Sequence, residues 1–189
     1  MRKNVILLLF MAFVSIPHLF LGNEKRLEIL FTGDLHSSAD YMALYDFVAA
    51  ERAEAISGNT PLIVVDAGDI AMGSVFHTLY REYAFELKAL CRIGYDAFTV
   101  GNHDFDFGAD GFLSMLASAY SGKNGNENAC RLTAANISFR DNAADSLFRS
   151  YNNEYIVIER SGIKIAIFGL LGEDAYSCIT GNGTIIRED

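Results

Sequence analysis

The chain has 189 residues, of which 51% are hydrophobic and 21% are charged, and its formal net charge is -9 at pH 7. A chain of this length and apolar content can bury a core, which excludes an intrinsically disordered protein. The negative charge repels a phosphate backbone, so we expect no broad nucleic-acid binding unless metal ions reverse the local field.

The first segment has the features of a secretory signal peptide, which we predict over residues 1–22. The basic residues Arg2 and Lys3 precede an apolar stretch over 5–14, and polar residues follow from Asn23. The region before Asn23 is a poor cleavage site, which leaves a retained membrane anchor as the alternative. We expect a secreted protein, located in the periplasm or cell envelope of a bacterium, with no stable membrane insertion after cleavage.

Strands alternate with helices in the remainder of the chain, residues 25–189. Continuous or alternating apolar runs predict four strands, over 27–32, 63–65, 97–100 and 131–135. Helical spacing predicts helices over 41–57 and 83–93 and a third helix with Asp110 as its N-cap. Alternation on both sides of Ser161-Gly162 predicts a C-terminal hairpin. This order predicts an α/β fold with mostly parallel strands, crossover helices and an added antiparallel hairpin.

Three of the predicted strands are followed by a glycine and then by a side chain that can bind a hard metal. These side chains are Asp34 and His36 after the first strand, Asp69 after the second and Asn102 after the third. Ligands bind beyond the carboxyl ends of parallel strands, so we expect the three strand ends to converge on one edge of the sheet. A single Gly-Asp after a strand is most often a turn, but three in series favour a metal site.

The third motif, GNHDFDFG over 101–108, is the richest in polar chemistry. His103 is a titratable base or acid, and Asp104 and Asp106 are carboxylates within three residues of it. His77 lies outside the three motifs, and we interpret it as a residue of a helix surface or of the core. The cysteines Cys91, Cys130 and Cys178 show no metal-binding spacing; one pair could form a disulfide in an oxidising compartment, and we expect Cys91 to be a buried small hydrophobe.

In order, these motifs resemble the pattern of the binuclear metallophosphoesterase (calcineurin-like) superfamily, which is D-x-H, then GD, then GNH with an acidic residue after it. GNHDFDFG is similar to the GNHEFD signature of the secreted 5'-nucleotidase branch, with Asp104 where that branch commonly has Glu. The segments TAANI and GIKIAIFGL also match the layout of the branch. The resemblance covers most of the chain after the predicted signal peptide and implies that residues 25–189 are the N-terminal part of the catalytic domain, a partial two-sheet sandwich.

The resemblance implies a role for each motif residue. Asp34 and His36 would bind a first metal ion, Asp69 would bridge two ions and Asn102 would bind the second; the ions would be Mn, Zn, Fe or Co. His103 would contact the phosphoryl group, and Asp106 would orient its imidazole. The reaction implied for the complete protein is metal-dependent hydrolysis of phosphate esters, with nucleotides as the expected substrate class.

Members of this branch have further histidine ligands downstream, whereas His103 is the last histidine of this sequence. The resemblance therefore implies that the chain lacks the rest of the catalytic domain and the substrate-binding domain, and we expect the isolated chain to turn over poorly. A separately encoded C-terminal half is one interpretation. The alternatives are a catalytically incomplete secreted fragment that binds metal or ligand, and a sulfur-ester hydrolase of the same superfamily.

Overall fold

Five parallel strands form the central sheet of the protein. A computed structural model of the chain describes residues 26–121, 130–179 and 182–188, so the predicted signal peptide over 1–22 lies outside the described residues. In chain order, the strands of the described part are β1 (Glu28–Thr32), β2 (Leu62–Asp66), β3 (Ala97–Phe98), β4 (Arg131–Thr133), β5 (Ile137–Phe139), β6 (Asn152–Asn153), β7 (Ile156–Arg160), β8 (Ile163–Ile167) and β9 (Ile185–Arg187). The order in the central sheet is β1-β2-β3-β4-β6, and β5-β9 and β7-β8 form two-stranded antiparallel sheets.

The helices lie between the strands of the central sheet and near the C-terminal end. In chain order, they are α1 (Tyr41–Ser57), α2 (Tyr80–Tyr83), α3 (Phe85–Ile93), α4 (Gly108–Tyr120), α5 (Asn142–Tyr151) and α6 (Glu173–Cys178). Short 3-10 helices occur at Val75–Leu79, His103–Phe105 and Asn182–Thr184. None of the helices in the described part combines the length and apolar content that spanning a membrane requires.

The predicted α/β fold class is confirmed, and the four predicted strands are those of the central sheet from β1 to β4. The predicted strand over 97–100 is shorter in the structure, because regular pairing ends at Phe98 and the chain then enters the loop that carries the third motif. The predicted hairpin is confirmed as β7-β8. Its turn residues Ser161 and Gly162 both have positive φ, 49° and 70°, as a tight hairpin turn requires.

Two helix predictions need correction. The predicted helix over 83–93 is interrupted at Ala84, whose left-handed φ of 46° ends α2 and precedes α3. Asp110 is not an N-cap: α4 begins at Gly108 with Phe107 at the cap position. Asp110 instead lies in the first turn of α4, where a negative charge is favourable beside the free N–H groups of the helix end.

Strand β2 of the central sheet buries apolar side chains on both faces, as inner parallel strands do, whereas Ile29 and Phe31 of the edge strand β1 are 55% exposed. Val64 of β2 belongs to the main core with Leu90 and Phe112 from the helices, whereas its neighbour Ile63 faces the opposite side. There Ile63 packs with Ile156 of β7, so the hairpin covers part of this face. The alternation of Ile63 and Val64 follows from the two-residue period of a strand.

A buried carboxylate ties the hairpin to the sheet. Asp96, which precedes β3, accepts a hydrogen bond from the backbone N–H of Val64 at 2.9 Å. Its carboxylate also contacts Arg52 of α1 at 3.3 Å and the guanidinium of Arg160 from β7. Arg160 donates in addition to the carbonyl of Leu62. Helix, sheet and hairpin are therefore joined at one side chain.

Candidate metal centre

The loops that follow β1 and β2 run side by side beyond the sheet. β1 pairs with β2 in parallel, and β2 pairs in parallel with β3, so the carboxyl ends of all three lie at one edge. Past the strand ends, the N–H of Asp34 donates to the carbonyl of Gly68 and the N–H of His36 donates to the carbonyl of Asp69, both at 3.0 Å. These bonds fix the first motif against the second.

Asp34, His36 and Asp69 form a cluster in which one potential ligand atom from each residue lies within 4.8 Å of the other two. Asp34 Oδ1 is 3.5 Å from His36 Nε2. Atoms that share an ion at roughly 2.1 Å each lie about 3 to 4 Å apart, so the distance between Asp34 and His36 fits a shared divalent cation. Carboxylate oxygen with imidazole nitrogen suits Mn, Zn, Fe or Co.

All three cluster residues have left-handed backbone conformations. The φ angles are 54° at Asp34, 49° at His36 and 55° at Asp69. Non-glycine residues enter this region at a cost of about 1 kcal/mol, and Asp does so more readily than most. The conformation turns the chain sharply after each strand, which brings residues of two different loops into one cluster.

The carboxylate of Asp69 is packed against the third motif. Asp69 Oδ1 accepts a hydrogen bond from the backbone N–H of His103 at 2.7 Å. A Cβ at Gly101 would lie 2.2 Å from the same oxygen, so only glycine fits here without moving the carboxylate. Asn102 lies between these two contact residues and precedes the 3-10 helix His103–Phe105. The structure thus brings Asn102 to the edge that holds the cluster.

His103 and Asp106 form a pair next to the cluster. His103 Nδ1 is 3.2 Å from both carboxylate oxygens of Asp106, and the two residues are separated by one turn of the chain. The imidazole rings of His36 and His103 meet edge to face with centroids 5.1 Å apart. With Nδ1 directed to the carboxylate, Nε2 of His103 is the nitrogen left for a ligand.

His77 is the residue whose position the sequence did not predict. It lies outside the Asp34–His36–Asp69 cluster, but its Nε2 is 3.6 Å from Asp106 Oδ2. Its Nδ1 accepts a hydrogen bond from the backbone N–H of Met72 at 3.0 Å, and its ring stacks on Phe107. Because Nδ1 accepts, a neutral His77 carries its proton on Nε2, facing Asp106. No motif spacing in the sequence indicates this contact.

Two further acids are buried behind the cluster. Asp104 Oδ2 accepts from the backbone N–H groups of Asp69 at 3.0 Å and Gly101 at 2.9 Å, which joins the second motif to the third. Asp66 accepts from Thr32 at 2.6 Å and from the N–H of Gly68 at 2.9 Å. Burial raises the pKa of each carboxyl group to about 7, although the hydrogen bonds act in the opposite direction. Through its bond to Gly68, Asp66 stabilises the turn that follows β2.

The sequence of the chain is similar to the sequences of known proteins. The family model described as calcineurin-like phosphoesterase matches residues 27–169. A probable 5'-nucleotidase of Treponema pallidum is 29% identical over 79% of this chain and 26% of its own length. Across five curated relatives, the chain spans between 12% and 26% of the length of each.

Solved structures show the same fold. The NAD nucleotidase of Haemophilus influenzae superposes with a TM-score of 0.68 and 21% identity over 86% of this chain and 29% of that protein. The sulfate thiohydrolase SoxB of Thermus thermophilus superposes with a TM-score of 0.64 and 12% identity over 90% of this chain and 40% of that protein. At these identities the superpositions establish the fold alone.

Proposed function

Because the chain belongs to the calcineurin-like phosphoesterase family, we propose that it carries the metal-binding and phosphoryl-orienting part of a site that hydrolyses phosphate esters. Enzymes of this family use divalent metals. The observation that supports the proposal most directly is the cluster of Asp34, His36 and Asp69 beside the imidazole of His103. An acidic chain needs cations at such a place to hold an anionic substrate.

The proposal assigns two divalent ions to the site. Asp34 and His36 would hold a first ion, Asn102 would hold a second, and Asp69 would be shared by both. When bound, the ions supply positive charge that polarises a phosphoryl group and promotes ionisation of a water molecule. Mn, Zn, Fe and Co all suit this mixture of oxygen and nitrogen ligands.

His103 contacts the phosphoryl group in this proposal, and Asp106 is the positioning residue behind it. The carboxylate of Asp106, at 3.2 Å, holds the proton on Nδ1 of His103 and directs Nε2 outward. When the imidazole carries a proton on each nitrogen, its Nε2–H can donate to a phosphoryl oxygen or to the leaving oxygen. His77 contacts the other side of Asp106 and limits the rotation of its carboxylate.

Nucleotides are the proposed substrate class for the complete protein, and the relatives named as 5'-nucleotidases support it. A second candidate is a secreted fragment that binds metal or ligand without hydrolysis, for which the Asp34–His36–Asp69 cluster would suffice. A third is hydrolysis of a sulfur ester, which the shared fold with the sulfate thiohydrolase supports. We also propose that the protein is secreted after removal of residues 1–22 and that a separately encoded C-terminal half is a partner of the chain.

Phosphate release from AMP by the purified chain, with and without Mn²⁺, tests the reaction. We expect slow phosphate release that requires Mn²⁺. His103→Ala should reduce its rate to that of AMP incubated with Mn²⁺ in the absence of protein. The matched control is Asp174→Ala, at an exposed position of α6 that lies outside the three motifs. We expect Asp174→Ala to hydrolyse AMP as the unmodified chain does.

Calorimetric titration with Mn²⁺ separates the candidates. Binding that Asp69→Asn weakens, together with no phosphate release at any Mn²⁺ concentration, would favour the binding fragment. Release of sulfate from a thiosulfate ester in place of phosphate from AMP would favour the sulfur-ester reaction. Absence of both Mn²⁺ binding and hydrolysis would contradict the proposal itself.

A further inference from the structure

Glu86, in the first turn of α3, is a fully buried acidic side chain that lies outside the three motifs. Its relative exposure is 0%, and its Oε1 accepts a hydrogen bond from the hydroxyl of Ser37 at 2.6 Å. Its Oε2 is also buried and has no hydrogen-bond partner within the described part of the chain. A carboxylate withdrawn from water is costly unless it is hydrogen-bonded, so the bond to Ser37 is the polar contact that holds this side chain.

Aromatic packing fixes the first turn of α3. The left-handed backbone of Ala84 redirects the chain between α2 and α3. The ring of Phe85 then stacks on Phe76 with centroids 4.8 Å apart, and it meets the ring of Tyr41 from α1 edge to face at 5.4 Å. Aromatic pairs of this kind hold side chains in defined orientations. Glu86 directly follows Phe85, so its carboxylate is presented from a fixed part of the fold.

Ser37 directly follows His36, and both residues have left-handed backbone conformations. The φ angles are 49° at His36 and 50° at Ser37. Residues with a Cβ enter this region at an energetic cost, so two in succession require contacts that compensate for it. The N–H of Ser37 donates to the carbonyl of Ile70 at 3.0 Å, which holds the turn against the loop after β2. The hydroxyl of Ser37 donates to Glu86 and so joins the same turn to α3.

The orientation of the His36 imidazole depends strongly on the backbone that carries it. Its Nε2 lies 3.5 Å from Asp34 Oδ1, whereas its Nδ1 is buried without a hydrogen-bond partner among the residues that the structure describes. In metal sites, a hydrogen bond from the second ring nitrogen to a carboxylate or carbonyl commonly fixes the histidine ring. For His36, the turn held by Ser37 and Glu86 takes over this task.

We propose that Glu86 is a positioning residue for the metal centre, and that its hydrogen bond to Ser37 holds the backbone of His36 in the conformation that directs Nε2 toward the ion. This inference rests on the proposed function and adds to it a residue of α3 that none of the three motifs contains. Glu86 acts through Ser37 and His36. The ring of His36 also meets the ring of His103 edge to face, so a displaced His36 disturbs both parts of the proposed site.

Two substitutions of Glu86 separate its hydrogen bond from its charge. Glu86→Leu removes the acceptor for Ser37, whereas Glu86→Gln removes the same charge but keeps a carbonyl oxygen as the acceptor. In calorimetric titration of the metal-stripped chain, Glu86→Leu should bind Mn²⁺ roughly tenfold more weakly. Glu86→Gln should bind Mn²⁺ as the unmodified chain does. The matched control is Glu54→Leu, which removes an exposed carboxylate of α1 and should also leave Mn²⁺ affinity unchanged.

NMR spectroscopy of the metal-free chain gives a second readout that does not depend on the ion. Glu86→Leu should shift the ring resonances of His36 and accelerate hydrogen exchange of the Ser37 amide, because the turn is then held from one side fewer. Glu86→Gln should leave both unchanged. Should the unmodified chain bind no Mn²⁺, the proposed function fails, and these NMR measurements alone decide whether Glu86 positions His36.

Ser37→Ala removes the same hydrogen bond from its other end, and it decides both measurements should Glu86→Leu not fold. The double variant of Ser37→Ala and Glu86→Leu should bind Mn²⁺ no more weakly than either single variant, because all three lack the same bond. Folded Glu86→Leu with unchanged His36 resonances and unchanged Mn²⁺ affinity would overturn the proposal. So would Glu86→Gln that binds Mn²⁺ as weakly as Glu86→Leu, since the charge and not the hydrogen bond would then matter.

Discussion

A methyl group added at Gly101 should displace the carboxylate of Asp69 and weaken metal binding. In the structure, a Cβ at this position lies 2.2 Å from Asp69 Oδ1 and 2.8 Å from the backbone nitrogen of Asp69. Gly101 is not among the residues with positive φ, so its backbone accepts alanine without strain. The effect of Gly101→Ala is therefore steric and is directed at one ligand.

The size of the effect follows from these distances. Carbon and oxygen atoms that are not bonded need about 3.2 Å, so the Asp69 oxygen must move by about 1 Å. A metal–oxygen bond tolerates only about 0.2 Å, which means that the displaced oxygen no longer binds. Asp69 Cγ at 2.4 Å and the Asp69 backbone nitrogen at 2.8 Å must move as well, so the variant also loses stability and the cluster loses one of its three members. We expect Mn²⁺ to bind roughly 10- to 100-fold more weakly, or about 1.4 to 2.8 kcal/mol.

Calorimetric titration of metal-stripped protein with Mn²⁺ measures this change, and circular dichroism verifies that the variant is folded. Gly172→Ala is the matched control, because a Cβ at Gly172 meets no atom within 4 Å and its φ of -66° suits any residue. Unchanged Mn²⁺ affinity in a folded Gly101→Ala variant would refute the argument, since it would mean that Asp69 is not a ligand or that the site is not packed as described.

Three further predictions concern the acids and His77. In EDTA, the free energy of unfolding should fall as pH rises from about 4 to about 7, because Asp66 has a folded-state pKa raised to about 7 and its favourable protonated form is lost over this range. In urea unfolding, the free energy of unfolding of Asp66→Asn should depend less on pH, and its change over this range should be smaller by at most roughly 4 kcal/mol. The exposed control Asp174→Asn should keep the full pH dependence. His77→Asn keeps a side-chain acceptor for the N–H of Met72 but loses the contact with Asp106. The rate of phosphate release should therefore fall about tenfold, with unchanged Mn²⁺ affinity. An unchanged rate would exclude His77 as a positioning residue. Asp96→Ala leaves Arg52 and Arg160 without their shared carboxylate, so it should lower the free energy of unfolding by roughly 2 to 4 kcal/mol in thermal or urea unfolding. The control Arg26→Ala removes an exposed ion pair and should change the free energy of unfolding by less than about 0.5 kcal/mol.

The sequence predicts the central sheet well because its first four strands lie within apolar runs, and the hairpin carries a second signal in Ser161-Gly162. Strands β5 and β6 lie outside the predicted runs, and β6 consists of two asparagines, a residue type that is uncommon in strands. The pairing of β5 with β9 depends on contacts between distant segments, and no local pattern reports it.

The predicted helix boundaries are wrong where tertiary contacts override the local conformational preference of the residue. Ala84 favours a continuous helix, yet it adopts a left-handed conformation between α2 and α3 and is fully buried there. Asp110 is a good N-cap residue by type, but the 3-10 helix His103–Phe105 passes almost directly into α4, which starts earlier at Gly108. A local rule cannot anticipate either outcome.

Within the candidate site, the motif spacing predicts which residues meet but not what supports them. Asp34, His36 and Asp69 come together because the neighbouring parallel strands β1 and β2 end at one edge, which follows from topology. The contact of His77 with Asp106 and the bonds of Asp104 to two backbone N–H groups depend on how particular loops fold. The roles of the six predicted site residues in metal binding and catalysis stay predictions until the variants are measured.

The left-handed backbone conformations of Asp34, His36 and Asp69 lower the stability of the fold at the same positions that the proposed metal site requires. Glycine adopts such φ angles without penalty, so replacing Asp34 or His36 by glycine would relieve strain while removing a ligand. A selection for thermal stability alone would favour the loss of these side chains, whereas a selection for metal-dependent function would retain them. In a screen of variants, selection for thermal stability should therefore enrich glycine at these positions, and selection for metal-dependent function should retain Asp34 and His36.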